Sequence, residues 1–225
     1  MCKTEMQQKE DIEEVGRALY DKGLLVGTDG NISIRLSEQE VLITASGFCK
    51  GKLTADQITK VDMEGHVLEG KKPARDIRMH LAVYRECPEA RAVVHAHPPV
   101  TTGYAMSEVS FEKVALPEVL FSLKGIAVTD YTTPTTIEVP REVSRVLREK
   151  PQSRTILLAN HGALTISSNV YDAFYMMETL EMFMKADLVS RLLGTTRYLD
   201  SRQMDKVNRL IKGEDADSVA EVRYE

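Results

Sequence analysis

Two histidines at a spacing of two residues are the most informative feature of the sequence. His95 and His97 lie in VVHAHP, where the preceding apolar run predicts a β-strand. Alternate side chains of a strand point to the same face, so the two imidazoles would lie close enough to share one ion. Neutral imidazole is a ligand that zinc and neighbouring transition metals prefer. By itself the pair is equally compatible with two unrelated surface histidines.

A third histidine would complete a set of metal ligands. His161 lies in LLANHGALTI, after an apolar strand and before Gly162, and functional side chains often lie where a strand ends. Alone, it could be a hydrogen-bonded turn residue. Together with His95 and His97 it gives three protein ligands and an open fourth position, which is typical of catalytic rather than structural zinc. We therefore predict a divalent metal site for Zn²⁺, with Mn²⁺ or Co²⁺ as alternatives.

One carboxylate is a candidate for proton transfer beside this metal. Asp76 begins the predicted helix of PARDIRMHL, where an acidic residue is favourable whatever its function. A simple helix-capping role is therefore the alternative to a catalytic one. His80 lies four residues later on the same helix face, and we interpret it as structural, bonded to backbone or to a carboxylate. His66 follows a hairpin glycine and is expected to be exposed.

Hydrophobic periodicity predicts a mixed α/β domain around these residues. Helices are predicted at 5–22, 76–86, 99–106, from Pro140 to before Pro151, and at 170–193. Strands are predicted at 32–36, 41–44, 58–63, 67–68, 92–95, 126–131 and 155–159. Thr54 begins a capping box that predicts a helical turn. The long last helix carries a stripe that is expected to be core: Phe174, Met177, Met184 and Leu188.

Composition limits the classes of partner. The net charge is -5 and no basic stripe is visible, which argues against nucleic acid as the main partner. No 18-residue apolar run is present, so no membrane span is expected. The odd number of widely spaced cysteines fits free thiols in a reducing cytoplasm. No linker divides the chain, so we predict one catalytic domain at 1–210 and a loosely attached C-terminal tail at 211–225.

The sequence resembles the class II aldolase/adducin-head family over about residues 8 to 200. The motifs that carry the resemblance occur in the family's order: GTDGNIS, ITASG, PARDIRMHL, HAHP, VTDYTTPTT and NHG. The resemblance implies a central, mainly antiparallel sheet flanked by helices, a divalent metal on three histidines, and a homotetramer with active sites between subunits. It also implies an aldolase that cleaves a ketose 1-phosphate similar to L-fuculose 1-phosphate. The products would be dihydroxyacetone phosphate and an aldehyde, formed through a metal-bound enediolate.

The resemblance also implies roles for individual residues. Asp76 would move the proton at carbon, and Tyr131 would assist on the aldehyde side, although a core strand position is the alternative for Tyr131. Tyr224 of a neighbouring subunit is a candidate for a further contributor. Phosphate binding is expected from a set whose alternative is ordinary turn residues: Gly30, Asn31, Ser46 and Gly47.

The sequence departs from the aldolase pattern at Ala74-Arg75-Asp76, where the family's aldolases carry Ser-Ser-Glu. Aspartate has one methylene less than glutamate, which shortens its reach by roughly 1.5 Å. Arg75 could replace the lost serine hydrogen bonds to phosphate, or select a carboxylate instead. A sugar-phosphate 4-epimerase, or a dehydratase or decarboxylase using the same enediolate, therefore remains an alternative. A non-catalytic interaction module like the adducin head is the non-enzyme alternative, and the complete histidine set argues against it.

Overall fold

An eight-stranded mixed sheet forms the centre of the fold. The computed structural model describes residues 3–111, 113 and 115–214. The strands in chain order are β1 (Asn31–Arg35), β2 (Glu40–Thr44), β3 (Ile58–Asp62), β4 (Val67–Glu69), β5 (Ala92–Ala96), β6 (Ala127–Val128), β7 (Thr155–Leu158) and β8 (Gly162–Ser167). They lie in the spatial order β4-β3-β2-β1-β5-β8-β7-β6. Only β6 and β7 pair in parallel, so the expected mixed, mainly antiparallel sheet is confirmed.

Helices cover both faces of this sheet. They are α1 (Glu5–Asp21), α2 (Ile77–Glu86), α3 (Pro99–Ala105), α4 (Glu118–Phe121), α5 (Glu138–Glu149), α6 (Val170–Leu192) and α7 (Ser201–Ile211). One hydrophobic core lies between the sheet and α1, α3 and α6, and a second lies between the sheet and α2 and α5. None of the described helices, including the 23-residue α6, combines the length and apolar composition of a membrane span.

The two cores follow from the alternation of side chains along the central strands. On β5, Val94 and Ala96 belong to the core beneath α6, whereas Val93 belongs to the core beneath α2. His95 has the same parity as Val93, so it points to the α2 side of the sheet. The pairing of Asn31 with His95 brings the start of β1 to the same end of the sheet.

Several predicted elements differ from the observed ones. The prediction missed β8 and α7, and the observed β6 is shorter than the predicted strand 126–131. The helical turn predicted after Thr54 is confirmed as a short 3₁₀ helix, Ala55–Gln57, but the capping box was wrong, because the Thr54 hydroxyl bonds the Asp56 carboxylate instead. Leu188 is 39% exposed, so its assignment to the core was wrong. The buried positions of α6 end at Asp187, one residue before it.

The predicted division at residue 210 falls inside α7, and residues 215–225, including Tyr224, lie outside the described part of the chain. Cys49 and Cys87 are free thiols, as expected. The domain boundary therefore stays a prediction.

A buried carboxylate fixes the direction of the chain after β5. Glu181 on α6 is 2% exposed in its side chain. It accepts hydrogen bonds from the backbone N–H of Val100 and Thr101, at 3.2 and 2.8 Å, and from the Thr101 hydroxyl at 2.8 Å. These N–H groups belong to the first turn of α3, where no intrahelical acceptor is available. Because α3 begins two residues after His97, this cap also orients the end of β5.

We expect Glu181→Gln to lower the free energy of unfolding by about 1–3 kcal/mol, because one of the two oxygens that face these three donors becomes an NH₂ donor. Urea denaturation followed by circular dichroism measures the change. Glu178→Gln on the same helix is the matched control. Glu178 makes an exposed ion pair with Lys22, and its loss is expected to cost about 0–1 kcal/mol. Equal effects of the two substitutions would contradict the capping role.

Candidate metal and substrate site

Three histidines from distant parts of the sequence meet at one end of the sheet. His95 lies on β5, His97 follows it directly, and His161 lies in the turn between β7 and β8. Because β5 and β8 are paired, with Ala96 opposite Ala163, this turn lies at the end of β5. The three ring centroids are 4.8 to 5.0 Å apart, and one nitrogen of each ring lies within 4.8 Å of the others. The structure therefore brings together the three predicted ligands.

The donor set fits a divalent metal. The Nδ1 of His95 lies 2.9 Å from the Ala163 carbonyl oxygen, which only accepts, so Nδ1 carries the proton and Nε2 presents a lone pair. The Nε2 atoms of His95 and His97 are 3.1 Å apart, close to the roughly 3.3 Å edge of a tetrahedral zinc–nitrogen site. Burial lowers the pKa of His95, His97 and His161, which keeps the imidazoles neutral and able to coordinate.

Two glycines permit this close approach. A Cβ at Gly162 would lie 2.5 Å from the His97 ring and 2.6 Å from the Ala96 carbonyl oxygen. Gly30 has a positive φ of +67°, and a Cβ there would lie 2.6 Å from the His95 carbonyl oxygen. The glycines of the NHG and GTDGN motifs are therefore required by packing around the histidines.

The Asp76 side chain does not cap the helix that it begins. It occupies the N-cap position of α2, but its side chain makes no capping hydrogen bond. Instead, its Oδ2 accepts a 2.9 Å hydrogen bond from the Asn31 side-chain amide. Among the described residues, its other oxygen, Oδ1, has no hydrogen-bond partner. The carboxylate thus keeps one oxygen available to a ligand.

A cavity of about 190 Å³ opens between the histidines and the first turn of α2. Its lining includes Asp76, His97 and His161. It also includes the whole set proposed for phosphate binding: Gly30, Asn31, Ser46, Gly47 and Arg75. One amide hydrogen of Asn31 is committed to Asp76, which leaves the second for a substrate. Two of the candidate metal ligands, the candidate acid and the candidate phosphate-binding loops therefore line the same cavity.

Sequence reasoning missed a buried lysine in this cavity. Lys50 is 2% exposed, and its ammonium donates to the carbonyl oxygens of Thr28, at 2.6 Å, and Phe48, at 3.0 Å. Burial lowers its pKa to about 8, against the opposing effect of nearby Asp29, Cys49 and Asp76. Lys50 joins the two loops that line the cavity and adds positive charge there. Its local sequence, FCKGK, contains no signal that separates it from a surface lysine.

Tyr131 does not reach the cavity of its own chain. It lies outside β6 and is 64% exposed, so the alternative of a core strand residue was wrong. The exposed position predicted for His66 is confirmed, with 77% of its side chain exposed. His80 is fully buried, but its partners are the side chains of Ser33 and Asn31 rather than backbone or a carboxylate. The predicted partners of His80 were therefore wrong.

Named relatives cover most of the chain. A 3-oxo-tetronate 4-phosphate decarboxylase of Haemophilus influenzae is 34% identical, over 92% of this chain and 99% of its own length. An L-fuculose phosphate aldolase of Methanococcus maripaludis is 32% identical, over 75% of this chain and 89% of its own length. A methylthioribulose-1-phosphate dehydratase of Methylococcus capsulatus is 32% identical, over 83% of this chain and 95% of its own length.

Solved structures share the fold at similar coverage. The crystal structure of YgbL from Klebsiella pneumoniae superposes with a TM-score of 0.85 and 26% identity, over 92% of this chain and all of its own. An L-fuculose 1-phosphate aldolase superposes with a TM-score of 0.84 and 26% identity, over 93% of this chain and 98% of its own. A family model matches residues 10–188, from α1 to the end of the buried part of α6. The chain belongs to the Class II Aldolase and Adducin N-terminal domain family.

Proposed function

We propose that this protein is a zinc-dependent lyase that decarboxylates a 3-oxo-tetronate 4-phosphate. The observation that carries the proposal is that three imidazoles cluster within reach of one ion, and that two of them, His97 and His161, line one small cavity with the Asp76 carboxylate. The decarboxylase relative supports the choice of reaction, because it aligns over 92% of this chain and 99% of its own length. A cytoplasmic location and the absence of nucleic-acid partners belong to the same proposal.

The reaction needs one carbon–carbon bond broken and one proton added. The bond between the carboxylate carbon and C2 breaks, and carbon dioxide leaves. The electron pair remains at C2, delocalised onto the C3 carbonyl oxygen. C2 then takes a proton, which gives dihydroxyacetone phosphate. For each substrate molecule, one proton is consumed, and one molecule each of carbon dioxide and dihydroxyacetone phosphate is released.

The cavity contains groups suited to each requirement. A divalent cation on His95, His97 and His161 would supply positive charge beside the carbonyl oxygen. Asp76 lies at the same cavity with Oδ1 available, and we assign it the proton transfer to C2. Asn31 holds the other carboxylate oxygen, which orients Asp76 toward the cavity.

The anionic ends of the substrate would be bound by loops and cations of the same cavity. Gly30 and Gly47 both have positive φ, a conformation that exposes backbone N–H groups to an anion. Ser46 adds a hydroxyl donor, and we assign the phosphate to these loops. Arg75 is exposed at the cavity and we assign it the substrate carboxylate, whereas buried Lys50 adds a second positive charge beside the loops.

Decarboxylation requires fewer acid or base groups than aldol cleavage, and this favours it here. Aldol cleavage also removes a proton from a hydroxyl group, which calls for a second acid or base. Tyr131, the residue expected for the aldehyde side, is 64% exposed and does not line its own chain's cavity. Loss of carbon dioxide needs only the single proton transfer assigned to Asp76.

The second candidate is the ketose 1-phosphate aldolase predicted from the sequence. The L-fuculose phosphate aldolase relative supports it. In this reading Tyr131 would reach the site of a neighbouring copy in a homotetramer, and its exposure fits that arrangement. A 4-epimerase or dehydratase would use the same charge stabilisation and differ in its products.

We expect His161→Ala to abolish metal binding. Protein purified without chelator should contain one zinc per chain, whereas the variant should lose the metal and roughly 10³-fold in kcat/KM, because a ligand is removed. Elemental analysis and steady-state kinetics measure both. His66→Ala removes an exposed histidine and is the matched control. Full zinc content with normal turnover in His161→Ala would overturn the proposed site.

Asp76→Asn is expected to retain zinc but to lower kcat by about 10²–10⁴-fold, because the amide cannot transfer the proton. Asp21→Asn at the exposed end of α1 serves as control. A rate for Asp76→Asn within threefold of wild type, ~0.7 kcal/mol in barrier, would exclude Asp76 as the acid.

Product analysis separates the candidate reactions. With 3-oxo-tetronate 4-phosphate we expect equimolar carbon dioxide and dihydroxyacetone phosphate, detected by ¹³C NMR and by coupled reduction with NADH. The value of kcat/KM for this substrate should exceed that for L-fuculose 1-phosphate by at least about 100-fold, since the cations of the cavity can pair with the substrate's carboxylate. The reverse preference would favour the aldolase, and a single isomeric product the epimerase. Absence of both zinc and turnover would favour a non-catalytic module.

A further inference from the structure

A line of buried hydrogen bonds connects the interior of the domain to Asp76. The Tyr84 hydroxyl lies 2.7 Å from Ser33 Oγ, which lies 2.6 Å from His80 Nδ1. His80 Nε2 lies 2.5 Å from Asn31 Oδ1, and Asn31 Nδ2 lies 2.9 Å from Asp76 Oδ2. The first four residues of this line are at most 3% exposed. Water is therefore a poor substitute for any of these partners.

The chemistry of these atoms gives the line a single direction. Asn31 Oδ1 only accepts, so His80 Nε2 carries the imidazole proton and donates it. Nδ1 then accepts from the Ser33 hydroxyl, which in turn accepts from Tyr84. Burial lowers the pKa of His80 to about 4, so the imidazole is neutral and offers one donor and one acceptor. Burial also raises the pKa of Tyr84, so its hydroxyl remains a donor.

The proton on His80 Nε2 and the Asp76 carboxylate hold the Asn31 amide in the same orientation from its two ends. If the amide turned over, its NH₂ group would face the His80 N–H and its oxygen would face the Asp76 carboxylate. Both contacts would be repulsive, and the His80 N–H is too buried to be rescued by solvent. With His80 in place, the amide nitrogen is held against Oδ2 of Asp76.

We propose that His80 is a positioning residue that fixes the orientation of Asn31 and, through it, the Asp76 carboxylate facing the cavity. His80 is separated from the proposed metal ligands in sequence and bonds none of them among the described residues. Its effect on turnover rests on the proton-transfer role proposed for Asp76, whereas its effect on Asn31 does not.

The first test reads the imidazole directly. In the full-length protein labelled with ¹⁵N-histidine, long-range ¹H–¹⁵N correlation distinguishes a protonated from an unprotonated ring nitrogen. We expect His80 as the Nε2–H tautomer, unchanged between pH 6 and 8, with its signals assigned by their loss in His80→Gln. The Nδ1–H tautomer would overturn the proposal, because Asn31 would then have to donate to His80. This measurement needs no substrate, so it stands if the proposed reaction is wrong.

The second test separates positioning from packing. His80→Leu keeps the bulk but no polar atom, and we expect kcat to fall about 10–100-fold, with KM within about threefold and zinc retained. His80→Gln can still donate to Asn31 and accept from Ser33, so we expect kcat within about fivefold of wild type. The control, His66→Gln, alters an exposed histidine. Wild-type kcat in a folded His80→Leu, or an equal loss in both variants, would overturn the proposal. If His80→Leu fails to fold, the tautomer and the Gln variant still decide it.

Discussion

The site depends on the burial of a neutral imidazole inside the sheet. His95 is inaccessible to solvent, and its Nδ1–H is bound by the Ala163 carbonyl of the neighbouring strand. That single bond fixes both the tautomer and the direction of Nε2, toward His97 and His161. The pairing of β5 with β8 supplies the carbonyl, and the same pairing brings His161 into place. The register of β5 against β8 therefore also sets the positions of the three histidines.

The side of the sheet on which His95 lies also brings the histidines near a carboxylate. The parity of β5 directs His95 toward the α2 side. The start of α2 supplies Asp76, and the next turn supplies His80. Asn31, opposite His95 on β1, bonds both of them. A buried polar line of this kind is favourable only when every member is satisfied, which explains why a histidine and a tyrosine hydroxyl occur in an apolar core.

Relatives that align with this chain are named for different reactions. Relatives named for a decarboxylase, an aldolase and a dehydratase align over most of this chain. Each of those reactions develops negative charge next to a carbonyl group. In this chain Asp76, Arg75 and Lys50 line the cavity beside the histidines, and they are the charged groups on which the proposed choice of reaction rests.

The sequence by itself determined the family, the α/β class and the identity of the three histidines, because strand alternation and ordered motifs are local signals. It also named Asp76 as a candidate, but only the structure shows that this carboxylate makes no capping bond and is bonded by Asn31, 45 residues away. Tertiary structure alone revealed buried Lys50, the partners of His80, exposed Tyr131 and β8. Burial and hydrogen-bond partners depend on contacts between distant segments, and local sequence does not encode which segments those are.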